Sequence, residues 1–135
     1  MKYLLDTNIC IFLMQDEPNV RAAFFEKKKD GIAISAITLA ELEFGVNNSK
    51  SSAAADRNRI KLISFLTLVD VLEFDSKAAA EYGKIFAVLT KNGNRIGILD
   101  TQIAAHAKSA GLIVVTNNTR EFERIDRLTL EDWTK

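Results

Sequence analysis

The sequence is short of the residues from which most small sites are built. Cysteine, histidine, proline and tryptophan occur once each, as Cys10, His106, Pro18 and Trp133. A lone cysteine excludes an intramolecular disulfide framework, and no Cys/His cluster offers a zinc site. A single histidine leaves almost no room for histidine-based metal sites or histidine-dependent triads. No apolar run approaches the roughly 18 residues of a membrane span. The amino terminus reaches Asp6 after only Tyr3-Leu4-Leu5, too short a run for a secretion signal. A reducing cytoplasmic setting is therefore expected. Charge of one sign is not in excess either, with 18 basic and 18 acidic residues. Residues 1–67 carry 9 basic and 8 acidic side chains, and residues 68–135 carry 9 and 10. This balance excludes binding driven by bulk charge, but not by a local cluster.

What remains is an ordinary globular composition, 47% hydrophobic and 27% charged over 135 residues. One domain over residues 1–135 is expected. Tyr3-Leu4-Leu5 reads as a short buried strand, followed by a helix over about 8–15 that Thr7 or Asn8 can cap. Pro18 breaks that helix, and 19–29 reads as a second one ending in Lys27-Lys28-Lys29, a solvated basic end. Ile32-Ala33-Ile34 is a second strand, with helices over about 37–46 and 52–67 after it. The apolar stripe of the latter is read as Ile60, Ile63 and Leu66, with Arg57 in register. Residues 69–72 form a third strand, and a helix capped by Asp75 or Ser76 runs to about 92. After a glycine-bearing loop over 93–99, Asp100 opens a helix to about Ser109. Leu112-Ile113-Val114-Val115 is the clearest strand, and a short helix near 120–125 and an edge strand at 128–130 close the chain.

Short, continuously apolar strands alternating with helices indicate a parallel sheet covered on both faces. Such sheets bind ligands outside the carboxyl ends of their strands. Asp6-Thr7-Asn8 stands at the end of the first strand, and Ser35 at the end of the second, with Glu41 one turn into the next helix. Thr116-Asn117-Asn118 ends the clearest strand, with Glu121 close behind, and Asp100 begins the helix before it. Each residue has a plainer use as a cap, a loop-closer or a surface charge. Periodicity does not choose between Glu41 and Glu43. Jointly, acids from separate segments would repel unless a cation sat among them, and no lysine or arginine lies within the Asp6, Glu41 or Asp100 segments. Oxygen-only donors point to Mg²⁺ or Mn²⁺, and such an ion beside a phosphate implies phosphodiester hydrolysis.

Four segments carry a resemblance. Leu5–Asn8, Ser35–Gly45, Ile98–Ala107 and Val114–Phe122 resemble the four motif blocks of the PIN domain, and more closely those of VapC-type toxins of bacterial toxin–antitoxin pairs. The resemblance runs from Tyr3 to Trp133. It implies an α/β/α sandwich with a short, mostly parallel central sheet flanked by helices. It also implies a Mg²⁺- or Mn²⁺-dependent ribonuclease whose core acids match Asp6, Glu41 and Asp100. Glu41, not Glu43, fits the family's Ala-Glu-Leu pattern. The fourth position, often aspartate, is Asn118 here; it offers a carbonyl oxygen but no charge, and Glu121 can supply an outer carboxylate. Thr7, Asn8, Ser35 and Thr116 match supporting hydrogen-bonders. The implied substrate is structured RNA, above all a tRNA anticodon stem-loop, with initiator tRNA the leading candidate. The implied partners are a cognate antitoxin and a second copy of the chain, with higher toxin–antitoxin assemblies beyond the homodimer.

RNA approaching an acidic pocket needs a cationic rim, for which Arg95 is the first choice and Lys91 and Arg120 the next. His106, six positions after Asp100, is read as a surface or interface residue, and Cys10 as a small buried hydrophobe. Phe44, Tyr82 and Phe86 are read as core or dimer contacts, and Trp133 as the pin of the chain's tail. Two other readings compete. A phosphoacceptor receiver domain would need a lysine after a late strand, where Thr116-Asn117-Asn118 has none. A catalytically impaired PIN scaffold that binds RNA or protein without cutting is kept open by Asn118.

Overall fold

A computed structural model describes residues 1–135. Five strands form one parallel sheet: β1 (Tyr3–Leu5), β2 (Ile32–Ser35), β3 (Asp70–Leu72), β4 (Ile113–Val115) and β5 (Leu130–Glu131). Their spatial order is β3-β2-β1-β4-β5. β1 lies at the centre, with Leu5 registered against Ile34 on one side and Val115 on the other. The chain winds outward through β2 and β3, then returns to place β4 beside β1. This reversal makes the carboxyl ends of β1 and β4 the switch point, where an open sheet leaves a crevice.

Seven helices cover the sheet: α1 (Thr7–Met14), α2 (Pro18–Lys27), α3 (Ala36–Asn47), α4 (Ser52–Leu66), α5 (Ser76–Lys91), α6 (Ile98–Ala110) and α7 (Thr119–Phe122). Alternation along β1 sends Tyr3 and Leu5 to one face and Leu4 to the other. The Tyr3/Leu5 face packs against Ile9 and Leu13 of α1, Phe24 of α2, Leu42 of α3 and Leu62 and Phe65 of α4. The Leu4 face packs against Ile85 and Leu89 of α5, Ile103 and Ala107 of α6, and Phe122 of α7. The result is the α/β/α sandwich anticipated from the strand and helix alternation. No helix is long and apolar enough to cross a membrane.

Several local readings are corrected. Pro18 does more than break a helix: it is the first residue of α2, where its missing N–H costs nothing, while the Glu17 side chain caps the Val20 amide at 2.8 Å. Residues 28–30 form a separate 3-10 turn. Lys27 is not simply solvated, because its Nζ lies 2.8 Å from Glu131. On α4 the buried residues are Leu62 and Phe65, whereas Ile60 and Ile63 face outward. The last strand falls at 130–131 instead of 128–130. Phe44 is exposed. Cys10 is buried, and Trp133 is buried edge-on against Tyr3 with its Nε1 donating to Glu131.

Candidate active site

Asp6 follows β1 and caps α1; its Oδ1 accepts the Ile9 amide at 3.0 Å. Of the residues that could cap this helix, Asp6 does so, and Thr7 and Asn8 do not. An ordinary cap is solvated, but Asp6 is only 4% exposed. Burial raises its carboxyl from 3.8 to about 6, with further lifting by Asp100 and Glu41, against the lowering effect of the Thr116 hydroxyl and the Ile9 amide.

Asp100 does not open its helix. α6 begins two residues earlier, with Gly97 as its cap, and the Thr101 hydroxyl donates to the Gly97 carbonyl at 2.8 Å. Asp100 therefore stands in the first turn, where the helix dipole favours its charge. Its carboxyl is still raised, by burial first and then by Glu121 and Glu41. Glu41 is half-buried on α3, and its Oε1 accepts the Thr7 hydroxyl at 2.6 Å. The fully buried Thr38 hydroxyl lies 3.4 Å from that of Thr7. Thr38 and Glu41 are spaced i, i+3 on one helical face. Glu43 instead pairs with Arg59 at 2.7 Å, away from this cluster.

The supporting residues divide. Ser35 ends β2 and caps α3, accepting the Ile37 amide at 3.1 Å. Thr116 is buried at the end of β4, where its Oγ1 accepts the Asn118 amide at 2.9 Å. That turn places Asn118 at the start of α7 with its side chain uncommitted to capping. Asn8 is exposed and hydrogen-bonds to none of these groups. Arg95 is partly committed: Nε donates to the Thr90 hydroxyl at 3.0 Å, and the guanidinium covers the Phe86 ring at 5.0 Å. Lys91 and Arg120 are exposed. His106 is not a surface residue. It is 4% exposed, with Nδ1 2.8 Å from Ser35 Oγ and its ring edge-on to Phe74.

The structure thus brings Asp6, Glu41, Asp100 and Glu121 into one electrostatic neighbourhood with no cation acting on Asp6 or Asp100. As placed, no three of its His, Cys, Asp or Glu side chains stand close enough together to hold a metal ion among them. All the donors are hard oxygens, and an open set of carboxylates fits Mg²⁺ or Mn²⁺ better than a soft or fully caged ion, because Mg²⁺ keeps much of its own water. Sequence reasoning missed Thr38 and the His106–Ser35 contact. The i, i+3 spacing of Thr38 from Glu41 was the available signal for the first; nothing local signalled the second.

Asp6, Glu41 and Asp100 come from three of the four segments that carry the resemblance to a known family. The PIN domain family model matches residues 3–128. The chain is 43% identical over 133 residues to the tRNA(fMet)-specific endonuclease VapC of Shigella flexneri, covering 98% of each chain. It is 41% identical to ribonuclease VapC2 of Haemophilus influenzae, again over 98% of each. Among solved structures, the DNA-bound VapBC of Salmonella typhimurium superposes with a TM-score of 0.91 at 42% identity, covering 98% of both chains. The chain belongs to the PIN-domain family and, within it, to the VapC ribonucleases.

Proposed function

We propose that this chain is the toxin of a toxin–antitoxin pair, a metal-dependent endoribonuclease that cuts tRNA in an anticodon stem-loop, with initiator tRNA the leading candidate. One observation carries the reading: a nearly inaccessible carboxylate, Asp6, lies in the field of Asp100 and Glu41 with no cation to offset them. Crowding of this kind costs stability until a proton or a cation offsets it, and such groups concentrate at functional sites. The substrate class is supported by full-length similarity to a relative named for tRNA(fMet).

Asp6, Glu41 and Asp100 would hold Mg²⁺ or Mn²⁺, with Glu121 and the Asn118 carbonyl outside them. When bound, such an ion lowers the pKa of water and neutralises charge on the phosphoryl oxygens. The chain's own residues set the geometry. Asp6 is fixed by the Ile9 amide and Glu41 by the Thr7 hydroxyl. Asp100 is held in the first turn of α6. Arg95, Lys91 and Arg120 would contact phosphates on either side of the cut, while unpaired loop bases carry the sequence information. Water adds to phosphorus and the P–O3′ bond breaks, leaving a 5′-phosphate and a 3′-hydroxyl; Asn118 brings no charge to support a second ion.

The antitoxin reading is supported by a groove of about 310 Å³ between α1, α3 and α4, lined by Ile11, Met14, Leu42, Val46 and Leu62 and bordered by Glu41. Exposed Ile60 and Ile63 lie on α4 nearby. Apolar surface next to a catalytic acid suits a partner segment that covers both. In this reading the chain acts as one domain, dimerises, and works in the cytoplasm where tRNA is found.

Purified protein incubated with total tRNA and Mg²⁺ or Mn²⁺ is expected to yield discrete fragments with 5′-phosphate ends. EDTA and Asp100→Ala should each stop the cut. Cleavage that persists in EDTA, or in Asp100→Ala, contradicts the reading. Intact tRNA under every condition would instead support a scaffold that binds without cutting.

A further inference from the structure

His106 and Cys10 are the buried titratable side chains near the site that this chemistry does not use, and only His106 bonds across the fold through its side chain. It stands on α6, six residues after Asp100, and its Nδ1 meets Ser35 Oγ at 2.8 Å across 71 positions of sequence. Ser35 caps α3, six residues before Glu41. Two helices that carry site acids are therefore joined by one buried hydrogen bond, while Glu41 and Asp100 sit within reach of each other's charge. Along the chain Ser35 precedes Glu41 by six residues and His106 follows Asp100 by six, so the bonded pair and the pair of acids lie at opposite ends of the two segments. The hydrogen bond ties the two segments at the end away from the acids. The ring is locked further by Phe74, edge-on at a centroid distance of 5.5 Å. Burial lowers the imidazole pKa, against an opposing effect from Asp75, so the neutral ring is the form held there.

We propose that His106 is a positioning residue for the ribonuclease reaction: its Nδ1–Ser35 contact sets α6 against the start of α3 and so fixes the gap between Asp100 and Glu41. The proposal rests on the ribonuclease reading but not on any chemistry at the imidazole. A cation held by two acids on different helices needs both at one separation, and small misplacements cost much of the rate.

The test compares His106→Asn with His106→Gln. Asn carries a polar atom where Nδ1 sits; Gln carries one where Nε2 sits. Both keep a polar, neutral side chain, and thermal unfolding checks that both fold. His106→Asn is expected to retain kcat within about threefold, and His106→Gln to lose roughly tenfold or more, with KM for tRNA within about twofold in each. Mn²⁺ affinity, read by water-proton relaxation without substrate, should weaken in His106→Gln and hold in His106→Asn. Equal kcat and equal Mn²⁺ affinity in the two variants overturn the proposal, as does a loss in both that tracks unfolding temperature alone. If wild-type protein cuts no RNA, the ribonuclease reading fails, and the Mn²⁺ comparison still decides whether the contact positions the acids.

Discussion

Asp6 is asked to do two things that pull in opposite directions. As a cap it gains the Ile9 amide; as a carboxylate it is stripped of water beside other acids. Its folded pKa of about 6 exceeds the unfolded 3.8, so between those values the folded chain holds a proton that the unfolded chain has released. The stability this group contributes is full below the unfolded value and is lost as pH rises through the folded one. Asp6→Asn keeps a capping oxygen and removes the charge. In chelator at pH 7 it should therefore be more stable than wild type by about 1–3 kcal/mol, with the difference shrinking toward pH 4. Urea unfolding across that range is the measurement, and a gap independent of pH would contradict the account. Thr7→Val tests the other fixed acid. Losing a hydrogen bond to a charged group costs about 1.5–3 kcal/mol, so kcat should fall roughly tenfold to a hundredfold if Glu41 must be held, while the fold persists by circular dichroism. At this scale the sequence was partly legible. Asp6, Glu41 and Asp100 could be singled out from strand ends and a family pattern. The bonds that orient them could not, since Thr7 and Glu41 lie 34 positions apart and meet only once β1 and β2 pair.

The elements themselves were mostly written in local pattern, and α4 shows where pattern ends. Its sequence carries two overlapping apolar stripes, one through Ile60 and Ile63 and one through Leu62 and Phe65. A 3.6-residue period accepts either. Docking against the Tyr3/Leu5 face chose the second and left the first outside. Leu62→Ala should then cost about 2–5 kcal/mol in equilibrium unfolding. Ile60→Ser should stay within about 0.5 kcal/mol. The reverse order would mean that α4 is rotated. α6 offers a second example. Asp100 looks like a cap, but Gly97 takes that place with no side-chain bond, and glycine in a loop gave no reason to start the helix two residues earlier. That shift moves Asp100 from the helix's edge into its first turn, where it can be both half-buried and charged.

At the scale of the molecule, strand–helix alternation was enough to expect a parallel sheet but not its order. Order follows from which strand returns to which neighbour, and β4 returning beside β1 brings Asp6 and Thr116 to adjacent strand ends. α3 packs on one face of the sheet and α6 on the other, so the acids they carry feel each other's charge only at the sheet's carboxyl edge. With total charge balanced, the proposed RNA attraction falls to exposed cations such as Arg95, Lys91 and Arg120, so on that proposal cleavage should weaken as salt is raised. The central claim is that carboxylates from three distant segments share one hard cation. It is tested most directly by Mn²⁺ binding to wild type, Asp6→Asn and Asp100→Asn, measured without RNA. Binding by wild type with a large loss in each variant is predicted; unchanged affinity in both variants would contradict it.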